Sequence, residues 1–148
     1  MSEIVDEILL VEDNPINLEL AQRALREHKL CTNVQVARDG AEALDFIFCR
    51  EKFAARRCDE LPRVILLDLK LPLVDGLEVL RQIRADPRTH HVPVVVLTTS
   101  TEERDVVESY ALGVNSYITK PVDFDRFTEA MRVIGTYWML LNRPPATA

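Results

Sequence analysis

Short apolar runs alternate with longer amphipathic stretches along the chain. The runs are EILLV (7–11), NVQVA (33–37), VILLD (64–68), VPVVVLT (92–98) and SYIT (116–119). Strands that are apolar throughout, separated by helical segments, describe a parallel sheet covered on both faces, because a solvated face would show strict polar–apolar alternation. Helix starts lie between the runs. Asn14-Pro15 sets a capping side chain before a proline at the first helical position, and Ile16, Leu20 and Ala24 then recur along one face. Asp39-Gly-Ala-Glu42, Asp75-Gly-Leu-Glu78 and Ser100-Thr-Glu-Glu103 have capping-box spacing, and Asp123 after Pro121 can cap a last helix. The pattern predicts five β–α units in a doubly wound α/β fold with a five-stranded parallel sheet. Residues 50–62, REKFAARRCDELP, read as a helix end plus a loop, and residues 142–148, NRPPATA, as a short flexible tail after a single domain over 1–141.

Ligands of doubly wound sheets bind beyond the carboxyl ends of the strands. That rim carries Glu12 and Asp13 after the first strand, Asp68 at the third, Thr98 at the fourth and Lys120 after the fifth. Converging carboxylates repel one another unless a cation joins them, and an all-oxygen donor set suits a hard ion such as Mg²⁺. Lys120 and Thr98 supply donors of the kind that hold phosphoryl oxygens. A carboxylate can attack phosphorus in line, which makes Asp68 the candidate nucleophile.

Composition narrows this picture. A net charge of −6, from 18 basic and 24 acidic residues, gives no basic footprint for nucleic acid or for an anionic membrane surface. The N-terminus MSEIVDEILL lacks a cationic segment and a long apolar stretch, so a cytoplasmic location is expected. Cys31, Cys49 and Cys58 form no C-x-x-C pair and, with only His28, His90 and His91 beside them, are expected to be reduced thiols rather than zinc ligands. Neither G-x-x-x-x-G-K-[ST] nor G-x-G-x-x-G occurs, which disfavours nucleotide binding.

The segments VEDN (11–14), LLDLKLPLVDG (66–76), VVVLTTS (94–100) and YITKP (117–121) follow one another across nearly the whole chain. As a set, they resemble the receiver domains of bacterial two-component response regulators. The resemblance implies a flavodoxin-like (βα)5 fold and phosphorylation of Asp68 by a sensor histidine kinase. It further implies Mg²⁺ held by Glu12, Asp13, Asp68 and the Lys70 backbone carbonyl, with Asp13 the direct ligand of the acidic pair. Thr98 would contact the phosphoryl group, Lys120 would bind it by charge, and Tyr117 would be the aromatic that changes rotamer on activation. Residues 46–62, the VLTTS strand and the Tyr137-Trp138 pair further resemble the small stand-alone regulators of cyanobacterial and bacterial phytochrome kinases. Two other readings compete with this one. An aspartate-nucleophile phosphatase usually carries a second aspartate two residues after the nucleophile, where this chain has Lys70, and a pure adaptor has no need of the five rim residues.

Phe124, Phe127, Met131, Ile134, Trp138 and Leu141 continue a seam at spacings of three and four. Its first half is expected to pack on the sheet. Its second half, around Tyr137, Trp138 and Leu141, has little cover within one domain and is expected to form a homodimer interface.

Overall fold

The computed structural model describes residues 8–27, 33–120, 123–143 and 145. Five parallel strands form one sheet: β1 Ile8–Val11, β2 Val34–Ala37, β3 Val64–Leu67, β4 Val94–Thr98 and β5 Ser116–Thr119. Their order is β2-β1-β3-β4-β5, so the connections diverge between β1 and β3. The helices are α1 Pro15–Glu27, α2 Gly40–Ile47, α3 Gly76–Ala85, α4 Glu103–Ala111 and α5 Phe124–Gly135. This is the doubly wound α/β fold that the apolar runs predict.

Successive strand residues point to opposite faces, and each strand therefore feeds two cores. Ile8, Leu10, Val64, Leu66, Val95 and Leu97 pack with Leu18 and Leu25 of α1 and with Phe127, Met131 and Ile134 of α5. Leu9, Val11, Ile65, Leu67, Val94 and Val96 pack on the other side with Phe46 and Ile47 of α2 and with Val79, Leu80 and Ile83 of α3. Burial on both faces explains why β1, β3 and β4 lack polar alternation, whereas the edge strands β2 and β5 are only partly buried and carry polar residues.

Most helix starts follow the sequence signals. The Asn14 side chain accepts from the Ile16 and Asn17 amides at 2.9 and 3.1 Å, Asp39 from Glu42 at 2.7 Å, Asp75 from Leu77 at 3.1 Å and Asp123 from Arg126 at 3.1 Å. Pro121, His28 and Cys31 lie outside the described residues. Ser100 departs from its expected role. Helix α4 begins three residues later, with Glu102 at the cap position and no side-chain cap; the Ser100 hydroxyl accepts from the Glu102 amide at 3.3 Å and donates to the Asp105 carboxylate at 2.6 Å.

Two expectations are corrected outside the site. Cys49 and Cys58 are joined as a disulfide, with Cα atoms 5.9 Å apart, rather than held as separate thiols. Left-handed backbone at Cys49 and Glu51 (φ 56° and 51°) turns the chain after α2, and Arg56 fastens the returning loop to the Phe46 and Glu60 carbonyls at 2.9 and 2.5 Å. The C-terminal seam is also redirected. Residues Thr136–Leu141 continue α5 as a π-helix, whose wider turn advances the buried face by about one residue. Met139 is therefore buried, Trp138 packs only partly against the α1/α5 core, and Phe124 and Leu141 are exposed.

Gly76 opens α3 directly behind Asp68. A Cβ there would stand 2.6 Å from the Leu69 Cα and against the Asp68 carbonyl oxygen. Gly76→Ala is expected to destabilise the fold by about 1–3 kcal/mol despite the better helix propensity of alanine. Urea unfolding checks this, and an unchanged midpoint would contradict it.

Candidate functional site

Backbone register brings the acidic residues together. Val11 pairs with Leu67, so Glu12 and Asp68 leave β1 and β3 at the same height, and the Asp68 amide donates to the Val11 carbonyl at 3.1 Å. The Lys120 amide donates to the Thr98 carbonyl at 2.7 Å, which extends the β4–β5 pairing by one residue. Side-chain parity then selects the neighbours. Glu12, Asp68 and Lys120 continue the alternation that faces α1 and α5, and they line a cavity of about 10 Å³ with Leu10, Leu66 and Phe127.

Oxygens of Glu12, Asp13 and Asp68 lie within 4.8 Å of one another. The Lys120 ammonium donates to Glu12 and, at 3.1 Å, to Asp68. Its side chain and those of Glu12 and Asp68 are at most 9% exposed, so the ammonium is nearly desolvated between two carboxylates. Asp13 is exposed. The Asn14 and Lys70 amides add weaker bonds of 3.3 Å to Glu12 and Asp68. Burial pushes the Glu12 carboxyl above its ordinary value of 4.5; the Asp68 charge adds to the rise, and Lys120 opposes it without cancelling it.

Thr98 and Tyr117 fall on the opposite parity, toward α2 and α3. Thr98 is buried at the end of β4, where its hydroxyl accepts from the Ser100 amide at 3.3 Å. The Tyr117 phenol donates to the Ser100 carbonyl at 3.0 Å, and burial raises its pKa. The two residues thus meet at Ser100, one strand end away from the carboxylates. Lys70 sends its ammonium to within 3.6 Å of Asp105, away from Asp68. Sequence reading missed Asp105: an acidic residue in the first turn of a helix looks like an ordinary surface charge, and nothing in the spacing signals its burial.

The donor set fits a hard divalent cation, because it combines carboxylate oxygens with one exposed, solvated member that leaves room for retained waters. A buried ammonium beside them can neutralise a second anionic group bound at the same rim.

Fold and site define a receiver. The chain belongs to the response regulator receiver family, since residues 8–132 match the response regulator receiver domain. It is similar to the protein named "Probable methanogenesis regulatory protein FilR2" of Methanothrix harundinacea, 43% identical over 141 residues that cover 95% of this chain and 88% of the relative. Response regulator Rcp1 of Synechocystis sp. is 38% identical over 139 residues, covering 94% and 92%. The Mn²⁺-bound structure of Rcp1 aligns with a TM-score of 0.87 over 94% of this chain and 98% of that one. The phosphorylated cyanobacterial phytochrome response regulator RcpA aligns with a TM-score of 0.89 at 38% identity, covering 97% and 100%. The bacteriophytochrome response regulator RtBRR is 51% identical with a TM-score of 0.76, covering 97% and 86%. This chain is accordingly a phosphorelay signalling receiver with phytochrome response regulators among its homologues. Among the described residues, no helix is long and apolar enough to cross a membrane.

Protonation of Glu12 would compete with a cation held by the same oxygens. A carboxyl whose native pKa is raised favours the metal-free fold while protonated; that contribution is present below about 4.5 and lost as pH rises through the native value. Divalent-cation affinity is expected to change in the opposite sense, weakening as pH falls through the raised Glu12 pKa. Calorimetric titration across this range checks it, with Glu12→Gln flattening the dependence; a flat profile in the wild type would contradict the assignment.

Proposed function

We propose that Asp68 accepts a phosphoryl group from the histidine of a sensor kinase, with Mg²⁺ held by Glu12, Asp13, Asp68 and the Lys70 backbone carbonyl. The observation that carries this reading is the desolvated Lys120 ammonium shared between Asp68 and Glu12 beside the exposed Asp13. When bound, Mg²⁺ offsets negative charge on the phosphoryl oxygens. Asp68 supplies the attacking oxygen, and the bond from phosphorus to the kinase histidine breaks as the new P–O bond forms. Lys120 holds a phosphoryl oxygen by charge, and the Thr98 hydroxyl turns from the Ser100 amide to a second one. Tyr117 follows, because its phenol is held by the same Ser100. Phosphorylation in this way biases a pre-existing equilibrium of the α4–β5–α5 surface.

A phytochrome-type histidine kinase is the proposed donor. RcpA and RtBRR, whose names place them with phytochromes, align over 97% of this chain. Exposed Ile16 at the start of α1 and Leu73 in the β3–α3 loop offer apolar contact beside the site for such a kinase. The phosphatase alternative gains no support, because Lys70 stands where the acid/base carboxyl is required and its ammonium pairs with Asp105. A cytoplasmic location accords with a cytoplasmic kinase domain as donor.

We further propose a homodimer through the C-terminal segment. Tyr137 and Leu141 are 47% and 70% exposed, next to exposed Leu140, and the half-buried Trp138 stacks edge-on against Tyr137 with ring centroids 4.8 Å apart. Trp138 therefore belongs partly to its own core, and the accessible anchors are Tyr137 and the two leucines.

Transfer from a candidate kinase is expected to label the wild type in a Mg²⁺-dependent manner and to leave Asp68→Asn unlabelled; labelling of both proteins would refute the acceptor assignment. Sedimentation equilibrium is expected to give the wild type a dimer mass and Leu141→Glu a monomer mass. A monomeric wild type would remove the dimer proposal.

A further inference from the structure

Asp105 is a buried carboxylate that the proposed phosphotransfer does not use. It lies in the first turn of α4 and is 3% exposed. A buried charge requires compensation, and three groups supply it. The Ser100 hydroxyl donates at 2.6 Å, the Lys70 ammonium stands 3.6 Å away, and the N-terminal end of α4 favours an anion.

We propose that Asp105 is a positioning residue for the switch: it latches the Lys70 ammonium and the Ser100 hydroxyl away from the acceptor, and a phosphoryl group on Asp68 opens the latch by competing for Lys70. The inference rests on the reading of Asp68 as acceptor. Each partner of Asp105 has a second connection to the site. The Lys70 amide already donates to Asp68, so the residue that senses the acceptor through its backbone senses Asp105 through its side chain. Ser100 is bonded through its amide to Thr98, through its carbonyl to Tyr117 and through its hydroxyl to Asp105.

The relative strengths favour exchange. The Lys70 side chain is 62% exposed, which makes its pairing with Asp105 weak and reversible. A phosphoryl group carries up to two negative charges against the single charge of Asp105 and forms two residues away along the chain. Once Lys70 turns toward it, Asp105 retains only the hydroxyl and the helix terminus. The Ser100 loop then hangs on an Asp105 that has lost its cationic partner, at the moment when Thr98 leaves the Ser100 amide. Asp105 thereby opposes activation in the resting state, and its loss favours the phosphorylated geometry.

The test is titration with beryllofluoride, a phosphoryl mimic, in the presence of Mg²⁺, with binding read by fluorine NMR. Asp105→Asn keeps an acceptor for Ser100 but removes the charge, and it is expected to tighten binding about two- to fivefold. In a Lys70→Met background the same substitution is expected to change nothing, because the competition it relieves is already gone. No tightening, or equal tightening in both backgrounds, overturns the latch. Lys70→Met alone alters an exposed side chain and so keeps the fold within reach. It is expected to weaken beryllofluoride binding, and unaltered beryllofluoride binding counts against the proposal. A wild type that takes up no beryllofluoride defeats the acceptor reading and the latch together; uptake without the Lys70–Asp105 coupling defeats the latch alone.

Discussion

A single desolvated ammonium governs this site. Lys120 lies between Glu12 and Asp68, and all three side chains are nearly closed to water. Two carboxylates at that separation cannot both remain ionised in a buried setting without a cation, and removing one partner from such a pair typically costs about 3–5 kcal/mol. The geometry leaves little freedom. Glu12 and Asp68 stand level only while β1 and β3 keep their register, and Lys120 reaches them only from the end of β5, two strands away from β3. The sheet and the charge cluster therefore support each other.

The division of labour follows from the two-residue period of a strand. Residues of one parity carry charge toward α1 and α5, and residues of the other carry Thr98 and Tyr117 toward α2 and α3. The charged cluster and the Thr98–Tyr117 pair thus occupy opposite faces of one sheet. Ser100, just past β4, is where they are joined: its amide, carbonyl and hydroxyl each hold a different partner. A change at the acceptor that claims the Thr98 hydroxyl must disturb that junction.

Much of this is legible in the sequence. The short runs located the five strands, most plainly β1, β3 and β4, which are buried on both faces, and the strand ends located Glu12, Asp13, Asp68, Thr98 and Lys120. Asn14, Asp39, Asp75 and Asp123 cap as their spacing indicates. What escaped were features set by tertiary contact. Ser100 has the spacing of a cap, yet α4 starts later and its hydroxyl bridges the Glu102 amide and the buried Asp105 carboxylate. The seam beyond Ile134 assumes a helix of constant pitch, whereas the π-helix over Thr136–Leu141 exchanges Trp138 for Met139 at the core. Cys49 and Cys58 meet because of two left-handed residues after α2, which neither their number nor their spacing reveals.

In the proposed mechanism, the buried cluster serves to load a phosphoryl group on Asp68. Borohydride reduction of the protein after incubation with a phosphorylated kinase or a small-molecule phosphodonor converts an aspartyl phosphate to homoserine, whose position peptide mass spectrometry reads directly. Homoserine at Asp68, formed only with Mg²⁺ present, is the result this account predicts. Homoserine at another aspartate, or no reduced side chain at all under conditions where the donor is consumed by the protein, would contradict it.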